Sequence, residues 1–160
     1  MPAGLQLLLR FLAGLVVTAV LWWIGRPAAD TLRVAIVGAR ASSRSGKRFA
    51  RRLAADLADA GVEVWSGLAR GIDGEAHEGA LDSPSGCTVA VLGSGLDRMY
   101  PREHAALAAR VAQRGAVITE FPPGTEPRRE NFPQRNRILA AAADALAVIE
   151  AGERSGALTT

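Results

Sequence analysis

Five short apolar runs alternate with longer amphipathic segments from Arg33 onward, and this alternation restricts the fold more than any other feature. Unbroken apolar runs are typical of strands that are buried on both faces of a parallel sheet. The pattern predicts a single α/β domain of three layers, with helices covering a mostly parallel sheet. We predict strands at Val34–Val37, Val62–Trp65, Thr88–Leu92, Ala116–Thr119 and Ala145–Ile149, and helices at Gly46–Ala60, about Gly74–Leu81, Arg102–Arg114 and Ile138–Ala143.

Glycine and arginine residues recur in the loops that follow these strands. Right-handed connections place the loops along one edge of the sheet, where open α/β sheets bind ligands. Glycine turns let backbone N–H groups approach an anion, and arginine supplies positive charge. The pattern therefore predicts a site for phosphates, although a tight turn alone would explain any single glycine. The loop residues are Gly38 and Arg40; Ser66, Gly67, Gly71 and Asp73; Gly93 and Gly95; Gly124, Arg128, Arg129, Phe132, Arg135 and Arg137; and Gly152, Arg154, Ser155 and Gly156.

The segment 128–137 combines four arginines with one aromatic ring, Phe132, in a loop predicted to span Glu120–Arg135. Arginines can hold a phosphate backbone while an exposed ring stacks on a base of any identity, a pairing that suits single-stranded nucleic acid. The alternative is that Phe132 packs into the core and only the arginines face outward.

The charge distribution permits a polyanionic partner without requiring one. Of the 19 basic residues all but Lys47 are arginine, and the net charge is +3. Residues 1–72 carry a net charge of +6, whereas residues 73–160 carry −3. Arginine suits phosphate because its planar fork binds two oxygens, but the same bias would follow from a GC-rich genome.

Side chains suited to catalysis or metal binding are scarce. One cysteine, Cys87, excludes an internal disulfide and a cysteine-held zinc, and it is predicted to be a small buried residue. His77 and His104 are predicted to be solvated helix positions. For Asp73, the N-cap of a helix is at least as good an interpretation as a chemical role. We therefore predict no catalytic residues, no metal and no cofactor.

Nucleotide-binding motifs of the common kinds are also weak. Gly93-x-Gly95 lacks the third glycine of the dinucleotide fingerprint because Arg98 stands there. Lys47 follows a single glycine and has no phosphate-binding loop of the Walker type before it.

The first 26 residues differ from the rest and are interpreted as a hydrophobic leader, with the domain at 27–160. Phe11–Ile24 is an apolar run of 14 residues between Arg10 and Arg26, short of the roughly 20 that a membrane-spanning helix needs. A membrane anchor, a secretory signal, and a buried or damaged leader of a cytoplasmic protein remain as interpretations, and the last is favoured.

Five motifs in the same order and spacing resemble the DNA-processing protein DprA (Smf) family. They are residues 34–40, 66–73, 89–95 with Tyr100-Pro101, 132–137, and Glu150-Ala151 with 155–159. The resemblance covers about Arg33–Thr160. It implies a Rossmann-like domain that binds single-stranded DNA, protects incoming strands during natural transformation, helps to load the recombinase RecA, and has no catalytic activity.

The resemblance also assigns roles to residues. Arg40 corresponds to an arginine that grips a phosphate, Arg129 and Phe132 to a basic and a stacking residue, and Arg135 and Arg137 complete the pocket. The backbone floor would be formed by Ser66, Gly67, Gly71 and Gly93. The full set of predicted DNA-binding residues also includes Gly38, Arg70, Asn136, Ser155 and Gly156.

The chain departs from the family pattern at both ends. The family has a longer N-terminal region and continues past Thr160 with at least a strand and a helix, so the domain is predicted to be incomplete at its C-terminus, which bears on homodimer formation. A rival interpretation is a nucleoside-monophosphate phosphoribohydrolase of the same superfold. The stretch Ala151–Thr159 argues against this enzyme because it lacks the doubled glycine and the following acid of that group.

Overall fold

The computed structural model describes residues 21–151, which form one six-stranded sheet with helices on both faces. The strands are β1 (Trp22–Gly25), β2 (Arg33–Gly38), β3 (Glu63–Ser66), β4 (Thr88–Val91), β5 (Ala116–Thr119) and β6 (Ala145–Ile149). The helices are α1 (Arg44–Asp59), α2 (Ile72–Asp82), α3 (Ala105–Arg114) and α4 (Asn131–Ala142), and a 3₁₀ turn at Arg102–His104 precedes α3.

The sheet order is β1-β5-β4-β3-β2-β6, and every pairing except that of β1 with β5 is parallel. This confirms the predicted α/β class with a mostly parallel sheet. All five predicted strands are present, and β5 and β6 have the predicted limits. Side chains alternate across the sheet, so that Ala90 packs towards α3 while Val89 and Val91 pack on the α4 side.

Alanines let α1 and α2 approach each other closely on one face of the sheet. Ala50, Ala54 and Ala58 are buried at a spacing of four residues, which places them on one side of α1. Gly79 of α2 faces this helix, and a Cβ there would collide with the backbone of Arg51. At the start of α1 the Ser43 hydroxyl accepts a hydrogen bond from the Gly46 N–H at 3.0 Å.

The leader prediction is wrong for its last residues. Trp22–Gly25 forms the antiparallel edge strand β1, paired with β5 from Trp22 opposite Thr119 to Gly25 opposite Ala116. Trp23 packs against the cluster on the α4 side, so this end of the apolar run belongs to the sheet. Residues 1–20 of the predicted leader lie outside the described residues. Among residues 21–151, no helix has the length and apolar character needed to cross a membrane.

Helix α4 begins at Asn131, seven positions before the predicted start, so the prediction of a loop reaching Arg135 is wrong. Pro133 made this segment resemble a loop, but it stands in the first turn, where its missing N–H has no helical partner to lose. Phe132, Arg135 and Arg137 therefore lie on a helix, and the helix fixes their directions.

Candidate nucleic-acid interface

The predicted phosphate edge lies where β2, β3 and β4 end and α4 begins. Arg40, in the loop after β2, is exposed, and its guanidinium carbon lies 4.7 Å from the centroid of the Phe132 ring. Phe132 is the second residue of α4. The structure therefore brings together two residues that are far apart in the sequence and that were predicted to bind phosphate and base.

The Phe132 ring is partly exposed and held from behind and from one side. A Cβ at Gly93 would lie 2.9 Å from the Phe132 Cδ1, so glycine at this position is required by the close approach of the ring. Tyr100 lies beside Phe132, with ring centroids 5.8 Å apart and planes tilted by 48°. Phe132 is thus neither buried in the core nor a free surface residue, and the Arg40 guanidinium also lies over its ring.

The start of α4 supplies further positive charge. Arg128 and Arg129 are exposed, and neither forms an ion pair with another described residue. Arg137 is also exposed, but it forms an ion pair with Glu120. Burial raises the pKa of Glu120, and the charge of Arg137 opposes that rise. Arg129 and Arg40 are therefore better placed than Arg137 to meet an incoming phosphate.

Arg135 lies beneath this surface and faces inward. It is 3% exposed, and its guanidinium donates to the Gly67 carbonyl at 2.7 Å and also to the Val91 carbonyl. Its Nε donates to the Asn136 Oδ1 at 3.0 Å. Burial lowers the pKa of Arg135 to about 10, although the charge of Asp73 favours the protonated form. In this arrangement Arg135 joins the ends of β3 and β4 to α4 and does not present its charge to a ligand.

Asp73 is the buried acidic counterpart of Arg135. Its carboxylate accepts a hydrogen bond from the Gly67 N–H at 3.1 Å. Burial raises the pKa of Asp73, while the charge of Arg135 and backbone hydrogen bonds oppose the rise. The predicted N-cap role of Asp73 is wrong, because Gly71 occupies the N-cap of α2 and Asp73 lies in the first turn.

The histidine prediction is wrong as well. His77 is fully buried, and its Nδ1 lies 2.8 Å from the Thr88 hydroxyl. The pKa of His77 is lowered to about 3, chiefly by burial and then by His104 and Arg135. His104 is half-buried and its Nδ1 donates to the Leu68 carbonyl at 2.9 Å. Both rings are held within the fold because α2 and α3 pack on the sheet.

The remaining residues that were predicted to bind DNA lie either beneath the site or around it. Gly38, Gly67 and Ser66 lie at the strand ends, and the buried Ser66 hydroxyl donates to the Ile36 carbonyl at 2.6 Å. At Gly71, φ is +78°, a conformation that favours glycine. Arg70 is exposed, is paired with Glu103 and lies close to Tyr100, the ring beside Phe132. Ser155 and Gly156 lie outside the described residues.

Cys87 and Asn131 add two details that sequence reasoning did not give. Cys87 is half-buried, and burial beside Glu63 raises the pKa of its thiol to about 12.

Asn131 donates through its amide to the Gly93 carbonyl at 3.0 Å and the Glu126 carbonyl at 3.2 Å. These hydrogen bonds hold the start of α4 against the loop after β4. In the sequence, only the position of Asn131 directly before Phe132 indicated this structural role.

The sequence profile of the DNA recombination-mediator protein A family matches residues 15–160 of this chain. A DprA-type DNA processing protein of Mycobacterium tuberculosis is 51% identical over 144 residues, which make up 88% of this chain and 37% of that protein. The chain thus spans well under half the length of this relative.

Two solved structures share the fold. The X-ray structure of DNA processing protein A from Streptococcus pneumoniae has a TM-score of 0.80 and 37% identity, covering 89% of this chain and 50% of that one. DNA processing protein A from Helicobacter pylori, whose structure concerns a single-stranded DNA binding mode, has a TM-score of 0.77 and 29% identity over 88% of this chain and 64% of that one. These matches confirm the Rossmann-like α/β architecture.

Proposed function

The chain belongs to the DNA recombination-mediator protein A family, and we propose that it binds single-stranded DNA at the edge formed by Arg40, Arg129 and Phe132. The observation that carries the proposal is the pairing of an exposed arginine with a partly exposed aromatic ring, 4.7 Å apart. Arginine binds phosphate through two oxygens, and an aromatic face stacks on any base.

The geometry favours a single strand over a duplex. In a duplex the bases are already stacked on one another, so a ring can reach a base face only where the strand is open. Arg40 and Arg129 then hold the backbone on either side of the stacked base. Binding of this kind follows shape and charge and does not depend on base sequence.

In the whole protein, this site serves recombination. We propose that the protein acts in the cytoplasm, protects incoming single strands during natural transformation and helps to load RecA onto them. A homodimer would present two such edges to one strand. The proposed role is binding and delivery of DNA and involves no catalysis. Its support is family membership together with the Arg40–Phe132 geometry.

The test is fluorescence anisotropy of a labelled single-stranded oligonucleotide, titrated with the full chain at two salt concentrations. The matching duplex serves as competitor. We expect salt-sensitive binding that the duplex displaces poorly. A folded sample that binds neither strand form, or that prefers the duplex, would refute the proposal, and circular dichroism of the same sample shows whether it is folded.

A further inference from the structure

A second basic surface adjoins the proposed site on the opposite side of Arg40. A groove of about 700 Å³ lies among α1, α2 and the start of α3, and Arg40 is one of its lining residues. The other lining cations are Lys47 and Arg51 of α1, Arg70 before α2, and Arg110 of α3. Three carboxylates also line the groove, so that its cations exceed its anions by two: Glu75, Glu78 and Glu103. Hydrogen bonding of the Ile72 N–H to the Ala39 carbonyl at 3.3 Å holds the beginning of α2 against the Arg40 loop.

The charges in the groove fall into two groups. Three arginines are neutralised by carboxylates: Arg51 by Asp82 at 2.7 Å, Arg110 by Glu78 at 2.9 Å, and Arg70 by Glu103. Arg40 and Lys47, by contrast, have no ion-pair partner among residues 21–151. Arg40 belongs both to the groove and to the Phe132 site, so the two meet at an unpaired cation.

The ion pairs in the groove are weak barriers to an anion. In the Arg70–Glu103 pair the two side chains are 57% and 51% exposed, and exposed pairs of this kind contribute little to stability. A phosphate that arrives beside Arg70 can therefore replace the carboxylate. Gly71 and Gly74 also line the groove, where Gly71 packs against the backbone of the Arg40 loop and Gly74 against the His104 ring.

We propose that this groove binds the sugar–phosphate backbone of the same single strand, beyond the nucleotide held at Phe132. The inference rests on the proposed function and names the path of the strand: from Arg40 past Lys47 towards Arg70. The groove contributes charge and length to the interface, and Phe132 contributes the base contact.

The test compares oligothymidylates of about 4 and about 12 nucleotides, lengths that bracket a single-strand site. We expect Lys47→Ala to leave affinity for the short oligonucleotide unchanged. Lys47→Ala and Arg70→Ala should each lower affinity for the long one about threefold to tenfold and reduce its salt slope by about one. Arg48→Ala is the matched control, because Arg48 is an exposed cation of α1 that does not line the groove.

Glu103→Gln provides a test of opposite sign. It removes the carboxylate that neutralises Arg70, so the affinity for the long oligonucleotide should rise. If Lys47→Ala and Arg70→Ala bind both lengths as the unchanged protein does, the groove proposal is refuted while the Phe132 site stands. If Glu103→Gln weakens binding to the long oligonucleotide, the proposal also fails. Loss of binding to both lengths in the unchanged protein would refute the proposed function itself.

Discussion

The guanidinium of Arg40 lies over the ring of Phe132, with 4.7 Å between the guanidinium carbon and the ring centroid. Arg40 belongs to the loop after β2 and Phe132 to the first turn of α4. The two residues are therefore in contact only when the sheet has formed. Gly93 makes the approach possible, because any side chain there would displace the ring. A phosphate contact and a stacking surface are thereby placed side by side.

Phe132→Ala should weaken single-strand binding by about 1–3 kcal/mol, or roughly five-fold to 150-fold, because the stacking contact with one base is lost. Phe132→Trp should retain most of the affinity, since it preserves an aromatic face. Fluorescence anisotropy with a labelled oligonucleotide measures both. Phe49→Ala is the matched control, because Phe49 is an aromatic ring that is 59% exposed on α1. Equal affinities for Phe132→Ala and Phe49→Ala would exclude stacking on this ring.

Arg40→Ala and Arg129→Ala should each weaken binding and lower the slope of log K against log salt by about one. The reason is that each arginine contacts a phosphate and releases counterions on binding. Titration at several salt concentrations gives the slope. Arg52→Ala is the control, because Arg52 is an exposed arginine of α1 that does not line the groove. Slopes unchanged in both test variants would show that these arginines do not touch the strand.

The strands and their order along the chain could be predicted from sequence because strands buried on both faces must be continuously apolar. β5, which is buried along its whole length, has the predicted limits for this reason. β6 also has the predicted limits, because its run is apolar, although it is an edge strand with mostly exposed side chains. Trp22–Gly25 was missed because an edge strand that follows an apolar stretch has no distinguishing local pattern. The predicted fourth helix was too short at its start because Pro133 and its arginine neighbours are typical of loops. The helix is recognised only from the packing of Ile138 and Leu139 against the sheet.

The inward direction of Arg135 could not be predicted from sequence. Nothing local distinguishes it from Arg129, and its burial depends on carbonyl groups at the ends of β3 and β4 and on the carboxylate of Asp73. The burial of His77 depends in the same way on Thr88 of a neighbouring strand. Sequence patterns identify which residue types gather at the edge, whereas tertiary contacts decide which of them face outward.

Arg135→Met should destabilise the fold by about 3–5 kcal/mol, because it leaves Asp73 buried without a compensating charge and leaves the Gly67 and Val91 carbonyls unpaired. Urea unfolding followed by circular dichroism measures the loss. The double variant Arg135→Met/Asp73→Asn should lose less than the two single variants combined, since it removes both buried charges. An Arg135→Met protein of unchanged stability with impaired DNA binding would instead assign Arg135 to the ligand.

His77 should make the stability depend on pH. The Thr88 hydroxyl donates to the Val64 carbonyl at 2.7 Å, so the His77 Nδ1 must donate to Thr88, and the buried Nε2 has no partner among the described residues. Protonation of His77 would place a proton and a charge in this buried position. The pKa is accordingly about 3 in the folded state, against about 6.5 in the unfolded chain.

Because the folded pKa is depressed, the stability from neutral His77 is fully present above pH 6.5 and is lost as the pH falls from 6.5 towards 3. At pH 5 the loss attributable to this residue is about 2 kcal/mol. His77→Asn can keep a donor towards Thr88 and cannot titrate, so its free energy of unfolding should fall less steeply between pH 7 and pH 5. Urea denaturation of both proteins at several pH values measures the difference. Parallel pH profiles would mean that His77 takes up a proton as readily in the folded state as in the unfolded chain.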